Sequence, residues 1–243
     1  MNVGVILAGG TGTRIGAGIP KQFIKVMDKP ILAYTIELFQ NNENIDAIEI
    51  VVHKDWVDEA NRIVEAYGLT KVKWITLGGS TFQESTMNGI NGLKGKINND
   101  DIVVISFGVA PMTTDEEIDD SILKAQEHGN GISAAPMDLL LCEMDDAEGT
   151  TQNICREKVR GFANPWSFKY GELLDAYAEG ERLCILDTVE PHITSLYLAL
   201  GRRLWFSKND RRDIKITYKG DLDTFEGYLL LKAKREAEAK GND

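Results

Sequence analysis

The chain has 243 residues, of which 43% are hydrophobic and 27% are charged, a composition typical of a folded globular protein rather than a disordered one. Its 38 acidic residues outnumber its 27 basic residues and give a formal net charge of -11, which argues against a broad nucleic-acid or anionic-membrane surface. An anionic small-molecule ligand would therefore need a local cationic pocket.

Three cysteines, Cys142, Cys155 and Cys184, lack the spacing of metal ligands. An odd number of cysteines without an evident secretory signal favours reduced thiols and a cytoplasmic protein, and we expect the three side chains to pack in the interior. The apolar start, Val3 to Ala8, is too short to cross a bilayer and is interpreted as a buried strand, so we expect no membrane association.

Strands and helices are predicted to alternate in the first half of the chain, from β-prone runs and from helical spacing of apolar residues. The predicted strands are Val3–Leu7, Ile48–His53, Lys73–Leu77 and Asp101–Ser106, and the predicted helices are Ile31–Phe39, Trp56–Tyr67, Ser85–Leu93 and Asp115–His128. This alternation predicts βαβ units and an α/β fold with a mostly parallel sheet.

In the second half of the chain we predict a strand at Gly131–Ala135 and then a hairpin at Leu139–Val159. The two β-prone runs of this hairpin flank the acidic turn "DDAEGTT". Three more helices and a late strand, "RLWFS", follow; the helices are Phe168–Ala178, Thr194–Ala199 and Leu222–Ala239. We expect one domain, residues 1–243, with a projecting arm at about 139–159. The arm's apolar residues need a partner surface, so we expect a homodimer in which this arm is exchanged.

The glycine-rich stretch "LAGGTGTR" follows the first predicted strand, where ligands bind in open α/β sheets. Glycine lets backbone N–H groups approach a phosphate or a nucleobase, while Arg14 and Lys21 supply positive charge. The stretch matches neither G-x-x-x-x-G-K-[ST] nor G-x-G-x-x-G, which argues against an ATPase or a dinucleotide-binding protein. The three histidines, His53, His128 and His192, are scattered and give little support to a hydrolase triad or a zinc site.

The segment "GVILAGGTGTRIGAGIPKQF" resembles the signature of the cytidylyltransferases that act on sugar-alcohol phosphates, namely methylerythritol 4-phosphate and ribitol 5-phosphate. Further segments resemble the same family in their expected places: "KPILAYTIELF", "GGSTFQESTMNGI", "FANPWSF" and "DIKITYKGDL". "HKDWVDEA" is more similar to the ribitol branch. The likeness covers nearly the whole chain.

The resemblance implies a Rossmann-like nucleotidyltransferase fold of the glycosyltransferase-A type and a CTP-dependent transfer used in isoprenoid or teichoic acid biosynthesis. It implies that Arg14, Lys21 and Lys215 stabilise the triphosphate and the transition state. The implied nucleotide-binding residues are Leu7, Ala8, Gly9, Gly10, Gly12, Thr13, Gly79 and Ser85. The implied acceptor-side residues are Asp138, Asp187 and Thr217. Mg²⁺ is the expected cofactor, bridging phosphate oxygens.

The chain departs from the family pattern at its predicted active-site rim. The family carries H-D-x-x-R-P where this chain has "SFGVAP". Phe107 therefore occupies the position of the family's metal-binding aspartate, and Ala110 occupies the position of the arginine that faces the acceptor phosphate. Phe82 occupies the position of another arginine of the family, and Ala163, Asn164 and Trp166 occupy positions of its Q-T-P-Q motif. No residue is therefore predicted as a protein metal ligand.

Three explanations of these departures remain open: a paralogue that lost turnover and kept a nucleotide or a partner, a different and less anionic acceptor with the metal held elsewhere, or deliberate alteration. A carbohydrate-active enzyme outside nucleotidyl transfer is a further alternative. Phe107 and Trp166 could form a stacking surface for a base or a sugar, although a packed core is the commoner role of each.

Overall fold

The computed structural model describes residues 1–10 and 18–240. Its strands are β1 Asn2–Ala8, β2 Lys25–Val26, β3 Lys29–Pro30, β4 Ala47–Val52, β5 Val72–Leu77, β6 Ile102–Phe107, β7 Asn130–Pro136, β8 Leu141–Glu143, β9 Gln152–Ile154, β10 Arg160–Lys169 and β11 Phe206–Ser207. Its helices are α1 Ile31–Asn41, α2 Val57–Ala66, α3 Phe82–Gly92, α4 Asp115–His128, α5 Tyr170–Arg182, α6 Ile193–Ala199 and α7 Lys219–Lys240.

A seven-stranded sheet with the order β11-β7-β10-β6-β1-β4-β5 forms the centre of the molecule. β10 runs antiparallel to both of its neighbours, and every other neighbouring pair is parallel. β4 and β6 are buried along their whole length, because apolar clusters cover both faces of the sheet. The predicted α/β fold with a mostly parallel sheet is confirmed. Within the described ranges, no helix is long and apolar enough to span a membrane.

The helix predicted at Phe168–Ala178 is wrong at its start, because Phe168 belongs to β10 and α5 begins at Tyr170. The sequence reading missed β10 altogether, since a proline inside an apolar run argues against a paired strand. The pairing of β10 with β7 shifts register between Phe162 and Trp166, and this irregularity accommodates Pro165.

Smaller differences concern the ends of other elements. The late strand predicted at 203–207 contains only Phe206 and Ser207, where it pairs with β7. The helix predicted from Trp56 begins one residue later, after a short 3-10 turn at Lys54–Trp56. α3 begins at Phe82, three residues earlier than expected, because Thr81 caps it by accepting a hydrogen bond from Glu84 N at 3.0 Å.

The segment between β7 and β10 contains an antiparallel hairpin in which β8 pairs with β9 as a separate two-stranded sheet. Its apolar side chains have little core beneath them: Leu140 is 89% exposed and Leu139 is 70% exposed. The expectation that the cysteines pack inside is wrong, because all three are exposed: Cys142, Cys155 and Cys184. Cys142 lies in β8 and Cys155 follows β9, in a hairpin that has no interior, and Cys184 lies in the turn after α5.

Candidate active site

A cleft of about 550 Å³, here named the glycine cleft, opens where β1, β4 and β5 end. Five of the predicted nucleotide-binding residues line it: Leu7, Gly9, Gly10, Gly79 and Ser85. Ala8 is buried at the end of β1. The described residues that line the cleft include no carboxylate, while Lys54 supplies a cation. The cleft therefore offers backbone groups and positive charge to a ligand.

Close packing of two glycine loops shapes this cleft. Gly79 N donates a hydrogen bond to Ser85 Oγ at 3.0 Å, and a side chain at Gly79 would overlap Glu84. A Cβ on Gly9 would lie 3.2 Å from the same Ser85 Oγ. Only glycine lets the two backbones approach this closely, so the loops present main-chain groups to the ligand.

Gln22 is a site-forming residue that sequence reasoning missed. Its buried side-chain amide donates to Ala8 O at 2.6 Å and to Gly10 O at 2.8 Å, which fixes the start of the glycine-rich loop. The signal was available in "PKQF", where a glutamine follows directly after the lysine. Arg14, Gly12 and Thr13 lie outside the described residues.

Lys21 contacts the closing "DIKIT" segment although 195 positions separate the bonded residues: its Nζ donates to Ile216 O at 2.7 Å. Ile216 N in turn donates to Val109 O at 2.9 Å, which fixes this segment against the loop after β6. Lys215 precedes Ile216 in the chain. The fold therefore brings two of the three predicted catalytic cations to one place.

A second cavity of about 520 Å³, here named the aromatic cavity, has Lys215 in its wall. Its walls include the aromatic residues Phe107, Phe162 and Trp166 together with Asp213 and Lys215. The Lys215 ammonium lies over the Phe107 ring, 3.9 Å from the ring centroid. Phe107 is 5.2 Å from Trp166, centroid to centroid, in an edge-to-face arrangement.

Phe82 separates the two spaces, because it lines the glycine cleft and its ring centroid lies 5.6 Å from that of Phe107. Lys215 Nζ is 5.7 Å from the Phe82 centroid. A phosphate group near Lys215 would therefore lie between a ligand in the glycine cleft and a ligand in the aromatic cavity.

Asn164 joins the segments that form the aromatic cavity. Its Oδ1 accepts from Phe107 N at 3.0 Å, and its Nδ2 donates to Ser106 Oγ at 3.0 Å and to Thr113 Oγ1 at 2.9 Å. Its backbone N donates to Asp213 Oδ2 at 3.1 Å. Sequence reasoning named Asn164 only as a departure from the family motif, because these contacts join residues 49 to 58 positions apart.

Two titratable groups of the aromatic cavity have shifted pKa values. Burial raises the pKa of Asp213 to about 7, although Thr113 and Asn164 donate hydrogen bonds to its carboxylate. Burial lowers the pKa of His192, and the positive charge of Lys215 lowers it further against the opposing effect of Glu190. Burial in this cavity therefore disfavours the charged forms of both side chains.

The predicted acceptor-side residues line neither of the two cavities. Asp138 is exposed and forms an ion pair with Arg211, and Asp187 is exposed in the turns after α5. Thr217 lies next to Ile216, and its Oγ1 donates to Lys215 O at 2.9 Å. Of these three residues, only Thr217 is joined to a predicted catalytic residue.

Ala110 and Phe107, at positions where the resemblance implies charged residues, belong to the apolar core. Ala110 is fully buried and Phe107 is 9% exposed. No group of three or more His, Cys, Asp or Glu side chains suited to a metal ion occurs within residues 1–10 and 18–240.

Comparisons with known proteins give a consistent result. The profile of the IspD family, 2-C-methyl-D-erythritol 4-phosphate cytidylyltransferase, matches residues 2–230. The ribitol-5-phosphate cytidylyltransferase of Lacticaseibacillus paracasei is 35% identical over 96% of this chain and 99% of its own length. The 2-C-methyl-D-erythritol 4-phosphate cytidylyltransferase of Petrotoga mobilis is 31% identical over 90% of this chain and 94% of its own length.

A crystal structure of 4-diphosphocytidyl-2C-methyl-D-erythritol synthase from Anaerococcus prevotii has a similar fold, with a TM-score of 0.77. The match covers 95% of this chain and 98% of that one at 22% identity.

Proposed function

Because the chain belongs to the IspD family of cytidylyltransferases, we propose that it transfers a cytidylyl group from CTP to a sugar-alcohol phosphate. A phosphate oxygen of the acceptor attacks the α-phosphorus of CTP, the bond to the bridging oxygen breaks, and pyrophosphate leaves. The products are a CDP-polyol and pyrophosphate. Ribitol 5-phosphate and methylerythritol 4-phosphate are the acceptor types that its relatives suggest.

One observation carries the proposal: Lys21 is hydrogen-bonded to the residue after Lys215. Lys215 in turn lines the aromatic cavity and lies 5.7 Å from the ring centroid of Phe82, which lines the glycine cleft. Transfer between two polyanions needs cations where the attacking and leaving oxygens meet. In the proposed reaction, Lys21, Lys215 and Arg14 neutralise the triphosphate. Backbone groups at Gly9 and Gly79 bind the nucleoside in the glycine cleft.

The family resemblance also implies Mg²⁺, but the described residues do not fit a metal ion held by the protein. The residues that line the glycine cleft include no carboxylate, and a cation occupies the face of Phe107, where the family pattern has aspartate. Asp213 has a raised pKa, and both of its oxygens already accept hydrogen bonds. The proposed reaction therefore assigns no step to a protein-bound metal ion.

The proposal is tested by measuring pyrophosphate release from CTP, with other nucleoside triphosphates as controls, against a panel of polyol phosphates. Turnover with CTP and at least one polyol phosphate, lost in Lys215→Ala, is the expected result. Lys25→Ala is the matched control, because Lys25 is an exposed lysine in β2. CTP binding without pyrophosphate release from any acceptor would contradict the proposal.

A second candidate is a catalytically silent paralogue that retains the nucleotide. The observation that favours it is that Phe107 and Ala110, at positions where the family resemblance implies charged residues, pack in the core. On this alternative the chain binds CTP and releases no pyrophosphate, whatever the acceptor.

We also propose that the arm, residues 139–159, is exchanged between two copies in a homodimer. Leu139, Leu140 and Met144 are at least 70% exposed, and an isolated two-stranded hairpin is marginal in water. Sedimentation at micromolar concentration should give a dimer that Leu140→Asp dissociates, with Leu123→Asp on α4 as the exposed control. A monomer in the unaltered chain would contradict this proposal.

A further inference from the structure

The ring of Phe107 is in contact with the ammonium group of Lys215. Lys215 Nζ lies over two aromatic rings, 3.9 Å from the centroid of Phe107 and 5.7 Å from that of Phe82. A cation within about 6 Å of the face of an aromatic ring is attracted by the negative charge of that face. Because this attraction weakens with distance, the contact with Phe107 is the stronger of the two.

Phe107 is itself held firmly at the end of β6. Its backbone N donates to Asn164 Oδ1 at 3.0 Å, and the residue is buried in the apolar core. Its ring meets that of Trp166 edge to face, with 5.2 Å between the centroids. A ring fixed in this way can hold a mobile group that contacts it.

The backbone next to Lys215 is fixed, whereas its side chain is flexible. Ile216 N donates to Val109 O at 2.9 Å, and Ile216 O accepts from Lys21 Nζ at 2.7 Å. These bonds fix the main chain beside Lys215, but its ammonium group lies at the end of a flexible four-carbon chain. Ordering such a chain costs conformational entropy. The contact with Phe107 offsets part of this cost before a ligand binds.

From these contacts, we propose that Phe107 is a positioning residue, whose ring holds the Lys215 ammonium in place for the phosphate groups of the substrates. The inference rests on the proposed function for the reaction. The ring has no net charge, so the contact leaves the positive charge of Lys215 available to a phosphate. A cation that is already in place stabilises the charge that develops on phosphate oxygens without having to reorganise during the reaction.

The test changes the electron density of the ring and keeps its shape. Phe107 is replaced by its 4-fluoro, 3,5-difluoro and 3,4,5-trifluoro analogues, because each fluorine withdraws electron density from the ring face and weakens its attraction for a cation. Titration calorimetry measures the affinity for cytidine 5′-[α,β-methylene]triphosphate, a CTP analogue that cannot be cleaved at the α-phosphorus. Pyrophosphate release measures kcat/KM for CTP.

We expect the affinity and kcat/KM to fall stepwise with the number of fluorines, by about threefold or more for the trifluoro analogue, the scale of an exposed cation–π contact. Phe168 carries the matched control series. It is fully buried in the same apolar cluster, lines neither cavity, and packs against Tyr197 with 4.9 Å between ring centroids. Fluorination of Phe168 should leave both quantities unchanged, which separates the charge effect from the effect of fluorine on packing.

A second measurement detects the contact without relying on activity. The ring current of Phe107 should shift the ε-methylene protons of Lys215 upfield in ¹H–¹³C spectra of protein labelled at lysine, and Lys215→Arg assigns the signal. Phe107→Leu should abolish this upfield shift, because it removes the ring and keeps an apolar side chain. Phe168→Leu should retain it.

Equal affinities across the Phe107 series, an equal loss in the Phe168 series, or no binding of the analogue would overturn the inference. So would the absence of the upfield shift in the unaltered chain. If the affinity falls stepwise but no acceptor supports pyrophosphate release, the inference stands and the proposed function fails. If every member of the Phe107 series releases pyrophosphate with the same kcat/KM, the proposed function stands and the inference fails.

Discussion

The glycine cleft and the aromatic cavity adjoin each other, yet they are built differently. Close contact between main-chain loops forms the first, as at Gly9 and Gly79, whereas side chains such as Phe107 and Trp166 form the second. In the proposed reaction the nucleotide is bound by backbone and by cations, while side chains choose the acceptor. Changes at the acceptor side can therefore alter what is modified without altering the nucleotide.

The largest effect is expected when charged residues are introduced at the acceptor side, which tests whether side chains there control the reaction. Phe107→Asp with Ala110→Arg should raise pyrophosphate release with CTP, Mg²⁺ and ribitol 5-phosphate about a hundredfold or more, because such transfers depend on positioned charge. Thermal unfolding checks that the variant folds, since Ala110 is fully buried, and Phe107→Asp alone is the second variant.

Phe206→Asp, at an exposed position outside the cavity wall, is the control for adding a carboxylate. Turnover by the unaltered chain that equals that of the double variant would contradict this prediction. It would mean that acceptor-side charge is supplied elsewhere.

A buried carboxyl between β4, β5 and α3 makes the stability of the fold depend on pH. Burial raises the pKa of Glu49 in β4 to about 7, while Thr76 Oγ1 donates to its Oε1 at 2.6 Å. The folded state therefore favours the protonated form. The stability from this group is present at low pH and is lost as the pH rises from the ordinary carboxyl range to about 7.

Glu49→Gln should remove this loss, so that the unfolding free energy of the variant relative to the unaltered chain increases by about 2 kcal/mol between pH 5.5 and pH 8.5. Urea denaturation at the two pH values measures it. Glu65→Gln, at an exposed position on α2, is the control and should change the unfolding free energy by no more than about 0.5 kcal/mol. If the difference in unfolding free energy between Glu49→Gln and the unaltered chain is the same at both pH values, Glu49 does not titrate in this range.

The nucleotide side is tested by removing single cations. Lys21→Ala should weaken CTP binding by about 1–3 kcal/mol, the range of a charge-assisted hydrogen bond, and Arg14→Ala should act similarly. Titration calorimetry measures the affinity, with Lys25→Ala as the control. Unchanged affinity in both variants would mean that the triphosphate lies elsewhere.

The parts of the fold that the sequence predicted best have local signals. Val3–Leu7 and Asp101–Ser106 are continuous apolar runs, and both became strands at the centre of the sheet. The stretch "LAGGTGTR" is similarly local, since Gly9 and Gly10, which are neighbours in the chain, both line the cleft. These features depend on neighbours in the chain, so the pattern of residues was sufficient to predict them.

The remaining features depend on contacts between distant segments. β10 contains Pro165 and pairs through a register irregularity that composition does not indicate. The aromatic cavity exists because Asn164 bonds to Phe107 and Asp213, which come from segments 57 and 49 positions away. The exposure of Cys142 follows from a hairpin without a core, which the residue type alone does not predict.

The main-chain construction of the glycine cleft has a consequence for inhibition. A compound that hydrogen-bonds the backbone at Gly9 and Gly79 contacts groups that every substitution except proline keeps. A side chain at either position crowds Ser85 or Glu84 and would deform the loops that the proposed substrate also needs. Resistance to such a compound should therefore be harder to acquire than resistance to one anchored on Phe162, where a single codon change removes the contact.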